Sequence, residues 1–221
     1  MYMLDNHIVT IDGPSGVGKT TVARRVADAL GLPVVNSGRL FRVAAWALAS
    51  KGIRLGDQDA VEKTLLSLDI NMTQSGDVTF EGEIVTGLID GPDVGMQASV
   101  IAKYAGVRQQ IVGTLRQLGE QHGCVIEGRT TGDDIFPQAI LKIWLTASLG
   151  KRRQWVTERH SLKAAETILV RDQEDMHRAL APMQPPKGAV EIDATHMTVD
   201  SVVDRIIELY RQKINEVRSR G

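Results

Sequence analysis

The stretch GPSGVGKT, residues 13–20, decides how the rest of the chain is read, because the apolar run Ile8-Val9-Thr10-Ile11 stands just before it. Its spacing, Gly-x4-Gly-Lys-Thr, with a strand pattern in front and a helical pattern behind, is that of a phosphate cradle. A glycine-rich turn from strand into helix lets successive backbone N–H groups point at one spot, and the helix N-terminus adds a favourable dipole. Gly13, Gly16 and Gly18 keep side chains from blocking close approach. Lys19 is placed to reach the β and γ phosphates, and the Thr20 hydroxyl to ligate Mg2+. The candidate residues for ATP with Mg2+ are therefore Gly13, Ser15, Gly16, Val17, Gly18, Lys19, Thr20 and Thr21.

Working outward, Val22, Val26, Ala29 and Leu30 recur at helical spacing from Thr20 until Gly31 ends the pattern. Pro33-Val34-Val35 follows as a short strand. Ser37 then precedes a second helix with Leu40, Val43, Ala44, Ala47 and Leu48 on one face. Between Leu68 and Ile89 the period changes to two: Ile70, Met72, Val78, Phe80, Ile84 and Val85 alternate with polar residues around Ser75-Gly76-Asp77 and Glu81-Gly82-Glu83 turns. That pattern predicts a small antiparallel sheet. Helical spacing returns from Met96 to about Leu118, through Val107, Ile111 and Leu115.

Cys124-Val125-Ile126 and the run Ile140 to Leu145 are too short for helices and too continuous for half-exposed strands, so they read as buried parallel strands. A polar, arginine-rich helical stretch spans Gly150 to Arg178. Ala189 to Ile192 is a last strand, and Val202, Ile206, Leu209 and Ile214 mark an amphipathic final helix. Strands alternating with helices predict an α/β protein with a parallel sheet flanked by helices. The whole chain is expected to form one domain, with a β insert at about 68–95 and a helical lid at about 150–178.

The chain has 221 residues and a net charge of -1 despite 26 lysines and arginines. That balance argues against a general nucleic-acid binder while leaving room for a local basic pocket. Cys124 alone cannot form an intramolecular disulfide, and its neighbours in GCVIEG predict an inert, buried thiol. No run approaches the ~18 apolar residues of a membrane span. The N-terminal MYMLDNHIV lacks the basic start and long apolar region of a secretory signal. These features lead to the expectation of a soluble, cytoplasmic monomer with no nucleic-acid or membrane partner. The histidines His7, His122, His160, His177 and His196 lack metal-ligand spacing and are expected to be structural or solvent-facing.

The cradle alone leaves GTPases, motors, small-molecule kinases and regulatory ATPases open. A guanine-reading Asn-Lys-x-Asp motif is absent from the sequence. Instead arginines gather after the cradle: Arg42, Arg108, Arg129, Arg152, Arg153, Arg171 and Arg178. Bringing two phosphorylated molecules together sets like charges against each other, and the planar guanidinium fork suits the task of offsetting them. Their placement points to a second phosphate-bearing ligand. Asp133-Asp134 could suggest a metal, but adjacent loop carboxylates are more often solvated or helix-capping.

In this order IDGPSGVGKTT, NSGRLFR, EGRTTGDDIFPQAILKIWL and RDQEDMHRALAP resemble the bacterial cytidylate kinase family of nucleoside monophosphate kinases. The resemblance runs from about Ile8 to the final helix, and the β insert sits where that family carries a small substrate-binding region. It implies that Ser37 and Arg42 meet the acceptor monophosphate, with Arg129 adding a contact. It further implies that Ser99 and Arg108 read the pyrimidine edge. Arg171 and Asp175 would lie near the acceptor ribose and the transferred phosphate, with Arg178 as a further neutralising cation. Arg152 would be the lid arginine, and Glu127 would hold Mg2+ through water. The catalytic set is thus Lys19, Arg129, Arg152, Arg171 and Arg178. An acceptor that is already a phosphate oxygen needs alignment and electrostatics rather than a general base.

Two departures from the family stand out. Many members carry an aspartate where this chain has Thr130, and that acid helps to accept the cytosine amino group. A hydroxyl can donate or accept, which leaves two readings open: base discrimination relaxed or redirected, for instance towards UMP, dCMP or a modified cytosine nucleotide, or an ordinary CMP kinase in which Thr130 is tolerated. The lid is also short, and the second lid arginine pair of typical members is replaced by Gln154-Trp155, with Arg159 nearby. The alternatives left open are a kinase acting on another small molecule, a non-enzymatic ATP-binding regulator and a nucleic-acid-associated ATPase.

Overall fold

Strand β1 (Ile8–Asp12) is buried along its whole length because it has a parallel neighbour on each side. Those neighbours are β6 (Cys124–Gly128) and β7 (Leu141–Thr146), both carrying the apolar runs of the sequence. With β2 (Val34–Asn36) at one edge and β8 (Val190–Asp193) at the other, the sheet order is β2-β6-β1-β7-β8. This computed structural model describes residues 7–73, 75–159 and 161–219. The N-terminal segment through Asn6 and His160 lie outside the described residues, as does the side chain of His122.

The chain forms two compact units, one running to Val34 and resuming at Gly119, the other comprising Val35–Leu118. In the first, α1 (Lys19–Leu30) and α8 (Val199–Arg218) cover the sheet. Val22 and Val26 of α1 and Val202 and Ile206 of α8 join Val9, Ile11, Val125, Ile143 and Leu145 in one core. Each such aliphatic side chain, fully buried, contributes about 1.5–3 kcal/mol. Parallel pairing places the C-terminal ends of neighbouring strands side by side: Asp12 is in register with Gly128 and with Trp144. Ligands of open α/β sheets bind outside such strand ends.

The arginine-rich stretch is a pair of helices, α6 (Leu149–Arg159) and α7 (Leu162–His177), rather than one. Ser161 explains the break, because its hydroxyl accepts the Ala164 N–H and caps the second helix. Among the described residues, no helix is long and apolar enough to cross a membrane.

In the second unit, Asn36 rather than Ser37 caps α2 (Ser37–Ser50), by accepting the Arg39 N–H. The expected antiparallel ribbon is present as β3 (Ile70–Met72), β4 (Val78–Phe80) and β5 (Glu83–Ile84). Helix α3 (Gln58–Leu65) has no counterpart among the sequence expectations. It buries only Val61 and Leu65 and is held at its start by the Asp57 cap, which is too little periodicity to read. The long helix expected from Met96 is likewise two, α4 (Pro92–Ile101) and α5 (Ala105–His122). Pro92 starts α4 at the first helical position, where its missing N–H costs nothing. Beyond Ile101 the Ala102 carbonyl accepts from the Arg108 guanidinium, at 3.4 Å.

Cys124 is fully buried on β6, and burial pushes its thiol up to about 12. At pH 8 its thiolate fraction is on the order of 10³ lower than that of a free thiol. A thiol-reactive chromophore is therefore expected to leave the native protein unlabelled and to react fully once denaturant is added. Rapid native labelling would contradict the burial.

Candidate active site

The turn after β1 is built around glycine. Gly13, Gly16 and Gly18 have φ of 154°, 77° and 93°. A Cβ on Gly13 would stand 2.0 Å from the Leu145 carbonyl oxygen, so no other residue fits there. At Gly18 nothing lies within 4 Å of such a Cβ, and only the left-handed backbone calls for glycine. Gly18 also caps α1 with no side-chain hydrogen bond, leaving the first helical N–H groups for a ligand. These features fit a polyphosphate.

Lys19 is buried, and its Nζ donates to the Pro14 carbonyl oxygen of its own loop at 2.8 Å. Burial, followed by the neighbouring Arg129 guanidinium, lowers its pKa to about 7, while Glu127, Asp172 and Asp12 act in the opposite direction. The Thr20 hydroxyl donates to Glu127 Oε1 at 2.6 Å, so the two oxygen ligands expected for magnesium converge. Hard oxygen donors of this kind fit Mg2+, which keeps much of its water and takes few protein ligands. Bound there, it would screen the charge of the donor phosphates.

Arg129, just past β6, joins the cradle to α7. Its Nη2 donates to Ser15 Oγ at 2.7 Å and its Nη1 to the Gly13 carbonyl oxygen at 3.2 Å. The same guanidinium pairs with Asp172 at 3.4 Å and with Asp175 at 3.2 Å. Asp175 in turn takes Arg178 Nη1 at 3.3 Å, and Arg178 Nε donates to the Ala181 carbonyl oxygen. Arg171 stands on α7 beside Asp172 and is half-buried. The cradle, Arg129, Asp175, Arg178 and Arg152, the residue expected as the lid arginine, thus form one cluster within the first unit.

Arg152 is buried, which a charge of its type tolerates only when paired. Its Nε donates to the Ala147 carbonyl oxygen at 3.1 Å, and its Nη1 donates to the Ser15 carbonyl oxygen at 2.8 Å and to Asp172 Oδ2. Helix α6 therefore sits directly on the cradle, and a Cβ on Gly16 would stand 2.7 Å from Val156 Cγ2.

Two acids here were not among the expected site residues. Asp172 accepts the Ser15 N–H at 2.7 Å as well as the two guanidiniums. Burial works to raise its carboxyl, but the Ser15 N–H, Arg152 and Arg129 outweigh that and hold it below the usual carboxylate range. Asp12 ends β1 fully buried and accepts the N–H groups of Thr131 and Gly132, both at 2.8 Å, and the Thr131 hydroxyl at 3.0 Å. Burial raises its pKa, and those hydrogen bonds offset part of the rise. It pins the single π-helical turn Thr131–Ile135 that follows Thr130. The one available signal for Asp12 was a lone carboxylate closing an apolar strand.

The remaining expected residues lie in the second unit. Arg42 Nη1 donates to the carbonyl oxygens of Ile89, at 2.8 Å, and Gly91, at 3.0 Å. Its guanidinium lies against the backbone of Gly95, whose carbonyl accepts the Ser99 hydroxyl at 3.2 Å. Arg108 is buried, with its guanidinium 5.8 Å from the centre of the Phe41 ring, a cation–π arrangement. Ser37 is buried at the start of α2. Arg42, Ser99 and Arg108 thus gather on α2, α4 and α5 of one unit.

A parallel sheet with a glycine-rich loop and a Lys-Thr pair opening a helix defines a P-loop nucleotide-binding protein. Residues 9–212 match the cytidylate kinase family model. The cytidylate kinase of Marinomonas sp. is 36% identical over 90% of this chain and 93% of its own. The chain belongs to the cytidylate kinase family. A bifunctional pantoate ligase/cytidylate kinase from Synechococcus sp. strain JA-2-3B'a(2-13) is 37% identical over 93% of this chain, which spans only 40% of that relative's length. Among solved structures, a gluconokinase from Sinorhizobium meliloti shares the fold with a TM-score of 0.54 at 12% identity, over 97% of both chains.

Proposed function

We propose that this protein transfers the γ-phosphoryl group of ATP to the phosphate of CMP or dCMP. An oxygen of the acceptor phosphate forms a bond to the γ-phosphorus while the bond to the β,γ-bridging oxygen breaks, giving ADP and the pyrimidine diphosphate. The acceptor oxygen is already ionised near neutral pH, so no side chain has to remove a proton. The observation that carries this reading is the cluster of Arg129, Arg152 and Arg178 held by Asp172 and Asp175 at the Lys19 cradle. Three guanidiniums against two carboxylates leave an excess of one positive charge, to which Lys19 adds. Loose, charge-spread phosphoryl transition states call for such fixed cations more than for acid–base groups.

In this reading Ser37 and Arg42 bind the acceptor phosphate, Ser99 and Arg108 read the base, and Arg171 and Asp175 meet the ribose and the transferred group. Thr130 offers a hydroxyl, which donates as readily as it accepts, and so favours a 4-amino pyrimidine over a 4-oxo one only weakly. The test is ATP-dependent phosphorylation across CMP, dCMP, UMP, dTMP and AMP. Turnover is expected to be highest with CMP and dCMP, with kcat/KM for UMP within about a hundredfold, since larger discrimination needs a site built to hydrogen-bond the group that distinguishes the two bases. Negligible UMP turnover beside strong CMP turnover would remove the relaxed specificity. Activity on none of the five would remove the kinase assignment.

A further inference from the structure

We propose that Asp172 is a positioning residue for the transfer, acting through Arg152 and Arg129. This rests on the kinase reading above. Each oxygen of its carboxylate has separate work. Oδ1 accepts the Ser15 N–H at 2.7 Å and the Arg129 guanidinium at 3.4 Å, while Oδ2 accepts Arg152 Nη1. Its side chain is 3% exposed, so its charge is matched by protein groups rather than by water. The carboxylate therefore ties three pieces of chain remote in sequence, the cradle, the start of α6 and the loop after β6, to one point on α7. Without it, two guanidiniums beside one loop N–H would repel one another with no shared carboxylate between them, and each would rest on its remaining acceptors alone, the Ser15 and Ala147 carbonyl oxygens for Arg152 and Ser15 Oγ, the Gly13 carbonyl oxygen and Asp175 for Arg129.

The identity of the acid matters. Asparagine at this position is nearly isosteric but offers one acceptor and one donor, so its NH2 would face either the Ser15 N–H or the Arg152 guanidinium, donor against donor. A role confined to folding would show as lost stability. A positioning role shows as lost turnover that is coupled to Arg152.

The experiment is a double-mutant cycle in kcat with ATP and CMP, using Asp172→Asn, Arg152→Ala and both together. Each single change is expected to lower kcat about a hundredfold with KM for CMP within about threefold. The pair is expected to cost no more than about threefold beyond the worse single, because groups acting as a unit are not additive. Additive losses, or an unchanged kcat in Asp172→Asn, overturn the proposal. If the Asn variant fails to fold, Asp172→Glu is expected to keep kcat within about tenfold, and a folded Glu variant with a hundredfold loss overturns it. Amide exchange in the nucleotide-free protein supplies a readout independent of catalysis. Ser15 and residues 149–159 are expected to exchange at least tenfold faster in Asp172→Asn. Unchanged exchange refutes the clamp even if wild-type protein phosphorylates no nucleotide, an outcome that would separately refute the kinase reading.

Discussion

Lys19→Ala is expected to lower kcat by about 10³-fold while leaving KM for CMP within about threefold. A unit charge 4 Å from a phosphate oxygen is worth ~4 kcal/mol at an effective dielectric of about 20, and ~4 kcal/mol is a thousandfold in rate. Lys19 is buried at the cradle with its Nζ parked on the Pro14 carbonyl oxygen, one short swing from where a polyphosphate would lie. Of the residues proposed to bind the acceptor, Ser37, Arg42, Ser99 and Arg108 belong to the other unit and Arg129, Arg171 and Asp175 keep their side chains, so acceptor affinity should survive. Stability should survive as well. The folded pKa of about 7 lies below the ordinary 10.5, so burying the ammonium costs stability that is lost in full below about pH 7 and regained as pH rises towards 10.5. Removing the group at pH 7 should therefore not lower the melting temperature. Steady-state kinetics with a thermal melt checks both halves, and a kcat within tenfold of wild type would show that Lys19 does not meet the transferring phosphates.

How much of this was legible in the sequence depends on how local each feature is. The cradle is a contiguous stretch of eight residues whose glycines, lysine and threonine each have a physical reason, and the parallel strands are continuous apolar runs. The antiparallel ribbon announces itself by a change of period. Asp172 could not be found that way: it meets the Ser15 N–H across 157 residues of sequence, and nothing in its own surroundings distinguishes it from the solvated acids of an exposed helix. The helix breaks at Ser161 and near Ala102 were hidden for a related reason. Ser161 is one of many serines and acts only through its cap, and the Arg108 guanidinium that donates to the Ala102 carbonyl at the end of α4 comes from the following helix. Arg152 was legible as a lid arginine by resemblance, but its burial and its three protein acceptors emerge only from the fold.

Arg129 tests whether the cluster needs a guanidinium or merely a positive charge. Its fork reaches Ser15 Oγ, the Gly13 carbonyl oxygen, Asp172 and Asp175 together, at 2.7 to 3.4 Å. A lysine ammonium is a compact point with three donors and cannot span those acceptors from one place. Both Arg129→Ala and Arg129→Lys are therefore expected to lose about 10³-fold in kcat/KM for CMP, with lysine recovering no more than about tenfold. Each variant also leaves Asp172 and Asp175 short of a partner in a largely buried setting, at a cost of about 1–3 kcal/mol. For a chain of this size that corresponds to a melting temperature lower by about 2–12 °C. The two effects can be separated, because a purely structural loss would be recovered in kcat/KM measured well below the melting transition, whereas a misplaced transition-state cation would not. A lysine variant within tenfold of wild type would mean that charge alone suffices, and the bidentate geometry around Ser15 and Asp175 would then have to be read as scaffolding for the segment after α7 rather than as part of the transfer itself.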